Sequence, residues 1–198
     1  MHKNFKVLNK DPSIVLYENF LEKNLCKKII ESFSHNLKTS MTTDGKKNIL
    51  HEGRRSKSCF LNPKDKILSQ VLFKLSLILG MSKDSFENPQ FTLYETGDGY
   101  IPHSDAFDFR DKQINKKIKA KGQRILTNII YLNDTLKGGE TFFPILDLKQ
   151  VPSIGNLISF NNCMDGTLDM HPFSIHQSLP VTKGKKYILT FWALSHEK

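Results

Sequence analysis

Residues 91–105 read Phe-Thr-Leu-Tyr-Glu-Thr-Gly-Asp-Gly-Tyr-Ile-Pro-His-Ser-Asp, with two short runs on either side of a Gly-Asp-Gly turn. A glycine-rich turn between such runs is typical of a β-hairpin. Side chains two residues apart on a strand point to the same face, so His103 and Asp105 share a face at the end of the second run. The segment therefore predicts a hairpin that directs an imidazole and a carboxylate towards one point.

A metal site of this kind needs a third ligand, because His-x-Asp triplets alone occur often by chance. Two histidines and one carboxylate suit non-haem Fe(II), since they bind one face of the ion and leave its other positions open. His171 and His176 lie far downstream and are both candidates for the third ligand. Either one would have to be brought to the hairpin by the fold.

Two helices are predicted in the first part of the chain. Residues 20–33 place apolar side chains four apart on one face. The second helix is predicted to open at Asn62-Pro63, with Asn62 as its N-cap and Pro63 at its first position. Gly80 is the predicted C-terminal stop of that helix.

Short strands separated by turn residues are predicted for the rest of the chain. Residues 38–57 are polar, and predict a long loop or irregular hairpin with a turn at Asp44-Gly45. The predicted strands are residues 13–17, 91–94, 100–105, 125–133, 141–143, 156–160, 174–176 and 187–194. Helices followed by many strands indicate an α+β, mainly β fold, a jelly roll with the N-terminal helices packed on one sheet.

The last predicted strand carries an unusual residue on its inner face. Alternation places Lys186 on the same face as Ile188, Thr190 and Trp192. A lysine that faces the interior of a sheet is costly unless an anion pairs with it. The carboxylate of a bound small molecule would supply that anion.

Five stretches of the C-terminal half occur in a recognisable order. They are residues 94–105, Gly122-Gln-Arg124-Ile, Tyr131-Leu-Asn, Gly138-Gly-Glu-Thr-Phe-Phe-Pro144 and residues 176–192. With these stretches the chain resembles the prolyl 4-hydroxylase group of Fe(II)/2-oxoglutarate dioxygenases. The resemblance implies a double-stranded β-helix (jelly roll) and a single dioxygenase domain over residues 1–198. Residues 1–85 would form the helical support and substrate-loop region, and residues 86–198 the jelly-roll core.

The resemblance also implies which residues bind the cofactors. It favours His176 over His171, so that Fe(II) would be held by His103, Asp105 and His176. It places the far carboxylate of the cosubstrate 2-oxoglutarate at Lys186, with Thr190 beside it. The other implied cosubstrate contacts are Tyr94 and Tyr131. O2 is the second cosubstrate, and ascorbate is a further cofactor whose requirement stays open.

The implied activity is hydroxylation of a C–H bond, at C4 of a peptidyl proline, with release of succinate and CO2. The substrate residues implied by the resemblance are Tyr100, Arg124, Trp192 and Arg54, and Arg55 matches the mobile substrate loop nearly as well as Arg54. One alternative is a hydroxylase of a free amino acid or small metabolite, with Arg124 pairing the carboxylate. A second alternative is a non-catalytic binding or sensing module that retains the metal.

Composition limits the partners of the protein. The chain of 198 residues carries a formal net charge of +9, but its lysines are scattered, so a nucleic-acid partner is not expected. A basic insert at residues 110–121 is predicted to be a surface loop or to hang over the pocket mouth. Three cysteines at irregular spacing, without a long apolar segment, predict a cytoplasmic protein with reduced thiols and no membrane association.

Overall fold

The computed structural model describes residues 4–43, 48–49, 53–108 and 121–195. Its α-helices are α1 (Lys23–Phe33) and α2 (Lys66–Leu79). Its strands are β1 (Phe5–Lys10), β2 (Ser13–Tyr17), β3 (Lys38–Thr39), β4 (Thr42–Thr43), β5 (Asn48–Ile49), β6 (Arg54–Arg55), β7 (Lys57–Phe60), β8 (Gln90–Tyr94), β9 (Gly99–His103), β10 (Arg124–Tyr131), β11 (Lys137–Gly138), β12 (Thr141–Phe143), β13 (Leu148–Gln150), β14 (Leu157–Asn161), β15 (His176–Ser178), β16 (Val181–Lys183) and β17 (Lys186–Leu194).

Most of these strands form two antiparallel sheets. The larger sheet has the strand order β1-β2-β14-β10-β17-β8-β7-β3, and the smaller one has the order β13-β12-β15-β9-β6. Apolar side chains fill the layer between them, with Ile129 and Ile188 from the larger sheet and Phe143 from the smaller. The predicted double-stranded β-helix is confirmed.

Both helices lie on the outer face of the larger sheet. Ile29 of α1 and Leu68 of α2 are fully buried in a second apolar cluster together with Leu189 and Phe191 of β17. Burial of each such side chain contributes about 1.5–3 kcal/mol to folding. The helices therefore hold one face of the larger sheet, while its other face remains available to line a site.

The alternation predicted for the last strand is present in β17. Leu189 and Phe191 point to the helices, whereas Lys186, Thr190 and Trp192 line a cavity on the opposite face. Because β17 lies between β10 and β8 inside the larger sheet, both of its faces are covered. The inward position of Lys186 is thus a consequence of strand register.

The predicted start of the second helix was wrong. Asp65, not Asn62, is the N-cap of α2, and its Oδ1 accepts hydrogen bonds from the backbone N–H groups of Ile67 and Leu68. Asn62 instead accepts from the backbone of Lys64 in the preceding turn. The predicted end is correct, because Gly80 adopts the left-handed conformation with φ of 65°. The first helix begins at Lys23, later than predicted.

The predicted hairpin at residues 91–105 was wrong. β8 pairs with β17 and β7 in the larger sheet, whereas β9 pairs with β15 and β6 in the smaller one. The Gly-Asp-Gly segment therefore connects the two sheets, because each strand finds its partners far along the chain.

Several strand boundaries also differ from the prediction. β9 ends at His103, so Asp105 lies in the bend that follows the strand. Ser174 belongs to a 3₁₀ turn, and β15 begins only at His176. β1 was not predicted, because its apolar side chains Phe5 and Val7 are exposed and form no buried pattern. The predicted Asp44-Gly45 turn and almost all of the basic insert lie outside the described residues.

Among the described residues, no helix has the length and apolar character needed to cross a membrane.

Candidate metal and cosubstrate site

Three side chains that can bind a metal meet at the ends of two neighbouring strands. β9 ends at His103, and β15 begins at His176, which lies directly opposite His103 in the antiparallel pairing. Asp105 Oδ1 lies 3.9 Å from His103 Nε2, and Asp105 Oδ2 lies 3.7 Å from His176 Nε2. One donor atom of each residue lies within 4.8 Å of the others. Two imidazoles and a carboxylate form the donor set that suits Fe(II).

Hydrogen bonds select the tautomer of both histidines. The Nδ1 atom of His103 lies 2.9 Å from the carbonyl oxygen of Ile101, and the Nδ1 atom of His176 lies 3.1 Å from that of Ser174. A carbonyl oxygen can only accept, so Nδ1 must carry the proton in each ring. The Nε2 lone pairs are therefore free to bind a cation, as in most metal-binding histidines.

Burial and the mutual proximity of these groups determine their charge states. Burial and then the neighbouring His176 lower the pKa of His103 to about 3. Burial raises the pKa of Asp105, but His176, His103, Arg124 and Trp192 together outweigh burial, and the pKa is lowered to about 2. A neutral imidazole beside an ionised carboxylate is the protonation state that metal binding requires.

His171 is not part of this group. Its Nδ1 accepts a hydrogen bond from the backbone N–H of Phe173, so its Nε2 carries the proton and donates to Asp11 at 2.9 Å. His171 is buried in this contact, which ties its segment to the turn between β1 and β2. The structure thus gives His171 a structural role and brings His176 to His103.

Lys186 is a buried cation without a close counter-ion. Its side chain is 1% exposed, and its Nζ donates a hydrogen bond of 2.9 Å to Ser178 Oγ. Within the described part of the chain no carboxylate oxygen forms an ion pair with it. Burial lowers the pKa of Lys186 to about 7, and nearby Glu140 offsets only part of this effect. A ligand carboxylate would compensate the buried charge, so the residue fits an anionic cosubstrate.

The other predicted cosubstrate residues lie around Lys186. The ring of Tyr94 is 5.1 Å from Lys186 Nζ, and Thr190 lines the same cavity. Tyr131 is fully buried behind Thr141, to which its hydroxyl donates a hydrogen bond of 2.7 Å. In this structure it is Thr141, rather than Tyr131, that lines the cavity.

Arg54 and Arg55 point in different directions. The structure therefore distinguishes two residues that match the substrate loop almost equally well in the sequence. Arg54 donates to Gln90 Oε1 at 3.0 Å, and its guanidinium lies 5.0 Å from the centre of the Tyr100 ring. Tyr100 in turn stacks on the imidazole of His103, with ring centres 3.6 Å apart. Arg55 is mostly exposed and lies 3.7 Å from Asp98. Of these two adjacent arginines, Arg54 is therefore the one that lines the cavity.

Arg124 and Trp192 form a second part of the cavity wall. The guanidinium of Arg124 lies 4.0 Å from the centre of the Trp192 indole and 4.9 Å from that of the Phe107 ring. The same guanidinium donates two hydrogen bonds to Glu87, of 2.6 and 2.8 Å. This bidentate pair compensates the charge of Arg124 and fixes its guanidinium against the two aromatic rings.

One cavity of about 470 Å³ is lined by the metal-binding trio and by the predicted cosubstrate and substrate residues other than Tyr131 and Arg55, namely Tyr94, Lys186, Thr190, Tyr100, Arg54, Arg124 and Trp192. That volume is in the usual range for small-molecule sites.

Two buried residues around the site were not identified from the sequence. Thr127 donates a hydrogen bond of 2.7 Å to Asp105 Oδ2. The side chain of Gln123 bonds to both the N–H and the carbonyl of Phe107, and so holds the loop that follows Asp105. Strand alternation could have indicated Thr127, because it shares a face of β10 with Ile129 and Tyr131. No local pattern indicates that Gln123 reaches Phe107.

Comparison with known proteins places this site in a family context. A family model described as the 2OG-Fe(II) oxygenase superfamily matches residues 89–194. The chain is 29% identical over 175 residues to a putative prolyl 4-hydroxylase of Acanthamoeba polyphaga mimivirus, covering 88% of this chain and 71% of that protein. It is 31% identical over 215 residues to probable prolyl 4-hydroxylase 8 of Arabidopsis thaliana, covering 97% of this chain and 72% of that protein.

Solved structures show the same fold. The viral collagen prolyl hydroxylase of Paramecium Bursaria Chlorella virus-1, solved as a 2OG complex, is 24% identical with a TM-score of 0.74, over 93% of this chain and 96% of that one. A Trichoplax adhaerens prolyl hydroxylase, solved with a hypoxia inducible factor oxygen degradation domain peptide, is 18% identical with a TM-score of 0.65, over 91% of this chain and 83% of that one.

Proposed function

This chain belongs to the 2OG-Fe(II) oxygenase superfamily as a prolyl 4-hydroxylase-like enzyme, and from that premise we propose that it hydroxylates C4 of a proline within a peptide or protein. It is a 2-oxoglutarate-dependent dioxygenase that uses Fe(II) and O2. The observation that carries the proposal is that His103, Asp105, His176 and the buried cation Lys186 line one cavity.

When bound, Fe(II), 2-oxoglutarate and O2 supply the oxidising chemistry, in which 2-oxoglutarate becomes succinate and CO2 and one oxygen atom enters a substrate C–H bond. The protein supplies position and environment. Neutral His103 and ionised Asp105 present donors without the loss of a proton at neutral pH, and His176 presents its Nε2 beside them. Lys186 orients the cosubstrate by pairing with its far carboxylate. Phe143 and Phe160 pack around His176 and limit the access of water.

The cavity wall around the metal-binding trio suits a proline in an extended chain. Tyr100 and Trp192 both line the cavity and present aromatic rings, which favour contact with a proline ring and a polyproline-like backbone. Arg54 stands beside Tyr100 and has donors for a substrate carbonyl. The two viral and plant relatives are named prolyl 4-hydroxylases, which supports the same substrate class.

The alternatives are less favoured. A free amino acid needs a cation for its carboxylate, and the candidate for that role, Arg124, is already paired with Glu87. A non-catalytic module would not need a buried lysine placed for a cosubstrate, but here both the metal-binding trio and Lys186 are present.

A comparison of free proline with a blocked proline peptide tests the proposal. We expect the peptide alone to support oxygen-dependent succinate release and to gain one oxygen atom at proline C4, detected by mass spectrometry with fragmentation. A peptide with alanine in place of proline serves as the control. Turnover with free proline but not with the peptide would show that the proposed peptidyl substrate is wrong. The same conclusion would follow if neither compound supported turnover, and only the dioxygenase activity would then remain.

The two adjacent arginines give a matched test of the substrate wall. Arg54→Ala should raise the KM for the peptide roughly tenfold or more, since a charged hydrogen bond contributes about 1.5–3 kcal/mol. Arg55→Ala should change the KM little, because the Arg55 side chain is mostly exposed and its ion pair with Asp98 is at the surface. Steady-state kinetics at saturating 2-oxoglutarate measure both. Equal effects of the two substitutions would exclude Arg54 as a specific substrate contact.

Two expectations from the sequence stay predictions. A cytoplasmic location agrees with the free thiols of Cys26, Cys59 and Cys163, and cell fractionation would test it. A requirement for ascorbate would be tested by turnover with and without it.

A further inference from the structure

The carboxylate of Asp105 is held by a buried hydrogen-bond chain that lies outside the metal-binding trio. Thr127 Oγ1 donates to Asp105 Oδ2 at 2.7 Å, and the same Oγ1 accepts from Asn162 Nδ2 at 2.8 Å. Thr127 and Asn162 both have no solvent exposure. The hydroxyl has one proton, and an ionised carboxylate attracts it more strongly than the amide oxygen of Asn162, which lies farther away at 3.1 Å. The direction of the chain is therefore from Asn162 through Thr127 to Asp105.

From this arrangement we infer that Thr127, supported by Asn162, is a positioning residue that reserves Asp105 Oδ1 for the metal. The inference rests on the proposed function of this site as a metal centre. Asp105 Oδ1 lies 3.9 Å from His103 Nε2, and Asp105 Oδ2 lies 3.7 Å from His176 Nε2. These similar distances do not show which of the two oxygens would bind the metal. The hydroxyl of Thr127 engages Oδ2, and among the described residues no hydrogen bond of normal geometry reaches Oδ1. The indole N–H of Trp192 lies near the carboxylate but makes no such bond. Binding through one oxygen keeps a further metal position open for ligands.

This hydrogen-bond chain also connects the two segments of the protein that carry the proposed metal ligands. Asn162 accepts at its backbone oxygen from the N–H of His171, in the segment that leads to His176, and the hydroxyl of Ser174 in that segment donates to the nearer carbonyl of His171 at 2.7 Å. Its own N–H donates to the carbonyl of Ile125 on β10. Thr127 lies on β10 within the larger sheet, where it is paired with Trp192. The orientation of Asp105 is thus tied both to the sheet and to the segment that precedes His176.

If Thr127 had a purely structural role, a different result would be expected. Any buried hydroxyl needs a partner, and its loss costs stability wherever it lies. Ser159 offers a matched comparison, because it is a buried hydroxyl that donates to Asn128 at 2.8 Å and does not contact Asp105. Loss of either hydroxyl should lower stability, whereas only the loss of Thr127 should change metal binding.

The test uses the full chain and measures metal binding without turnover. Co(II) serves as the probe, because its absorption spectrum reports both affinity and coordination number. Thr127→Val should weaken Co(II) binding by about 10- to 100-fold, the usual effect of removing a partner that orients a metal ligand. The spectrum should also change. Thr127→Ser should bind like the unchanged protein, and so should the control Ser159→Ala.

The outcomes separate this inference from the proposed function. A folded Thr127→Val protein with unchanged affinity and spectrum overturns the positioning role. If the Thr127→Val protein does not fold, Co(II) binding is measured with Thr127→Ala instead, because this variant also lacks the hydroxyl donor. If the protein without substitutions binds no Co(II), both the proposed metal centre and this inference are wrong. Weakened binding in Thr127→Val supports the positioning role even if no proline peptide is hydroxylated.

Discussion

Replacement of His103, Asp105 or His176 by alanine is expected to abolish turnover and to weaken iron binding strongly. Each replacement removes one of three donors that lie within 4.8 Å of one another, and leaves the remaining two without a complete binding face. Metal chemistry typically contributes several kcal/mol to the transition state, so turnover should fall by about a thousandfold or more. Oxygen-dependent succinate release measures turnover, and anaerobic titration with Fe(II) measures affinity.

His171→Ala is the matched control, since His171 is also buried and lies five positions before the proposed ligand His176. Its hydrogen bond to Asp11 supports the turn between β1 and β2, so a modest loss of thermal stability is expected. Iron affinity and turnover should stay near those of the unchanged protein. An iron-free His171→Ala protein beside an active His176→Ala protein would overturn the ligand assignment.

Lys186→Ala is expected to raise the 2-oxoglutarate requirement strongly while iron binding stays nearly intact. Lys186 is 1% exposed, so solvent does not screen its interaction with a ligand carboxylate. Deleting one partner of such a buried pair costs about 2–5 kcal/mol, which corresponds to a loss of about thirtyfold or more in affinity. Anaerobic titration of the metal-loaded protein with 2-oxoglutarate gives this affinity directly.

The same lysine predicts how cosubstrate binding depends on pH. Because burial lowers the pKa of Lys186 to about 7, the ammonium form is fully present only below that pH. The affinity for 2-oxoglutarate should therefore be highest below pH 7 and should fall as the pH rises above it. Lys186→Arg should remove this dependence where the larger side chain fits, since guanidinium remains charged.

The neighbouring Lys185 is the control for this prediction. It is about half exposed and lies 3.5 Å from Glu95 on the surface. Lys185→Ala should leave both the 2-oxoglutarate affinity and its pH dependence unchanged. A Lys186→Ala protein with unchanged 2-oxoglutarate affinity would place that lysine outside the cosubstrate site.

Local patterns in the sequence predicted which residues of a strand face the site, but not how the strands that carry the site pair. The Gly-Asp-Gly turn predicted a hairpin, but it connects β8 and β9, which belong to different sheets. Alternation placed Lys186, Thr190 and Trp192 on the cavity face of β17. Such patterns are reliable because strand geometry fixes the face of every second residue once one face is buried. The fold class followed from the order of helices and strands, and the resemblance to a known family pointed to the same architecture.

Local patterns could not place helix and strand ends accurately. Asp65 and Asn62 are both good N-cap residues, and only the backbone geometry shows that Asp65 caps α2. Asp105 lies beyond the end of β9, so its approach to His103 depends on a bend and not on strand alternation. These positions depend on hydrogen bonds between neighbouring segments, which propensity does not specify.

The tertiary structure alone decided which distant residues meet. The pairing of β9 with β15 sets His176 opposite His103, while His171 is directed to Asp11. Tertiary contacts likewise separated inward Arg54 from outward Arg55, paired Arg124 with Glu87, and placed Thr127 against Asp105. From the sequence alone follow the fold class, the donor types and the faces of the strands, because these depend on local periodicity. The choice among equivalent side chains depends on register between strands that are far apart in the chain, and only the packed structure sets that register.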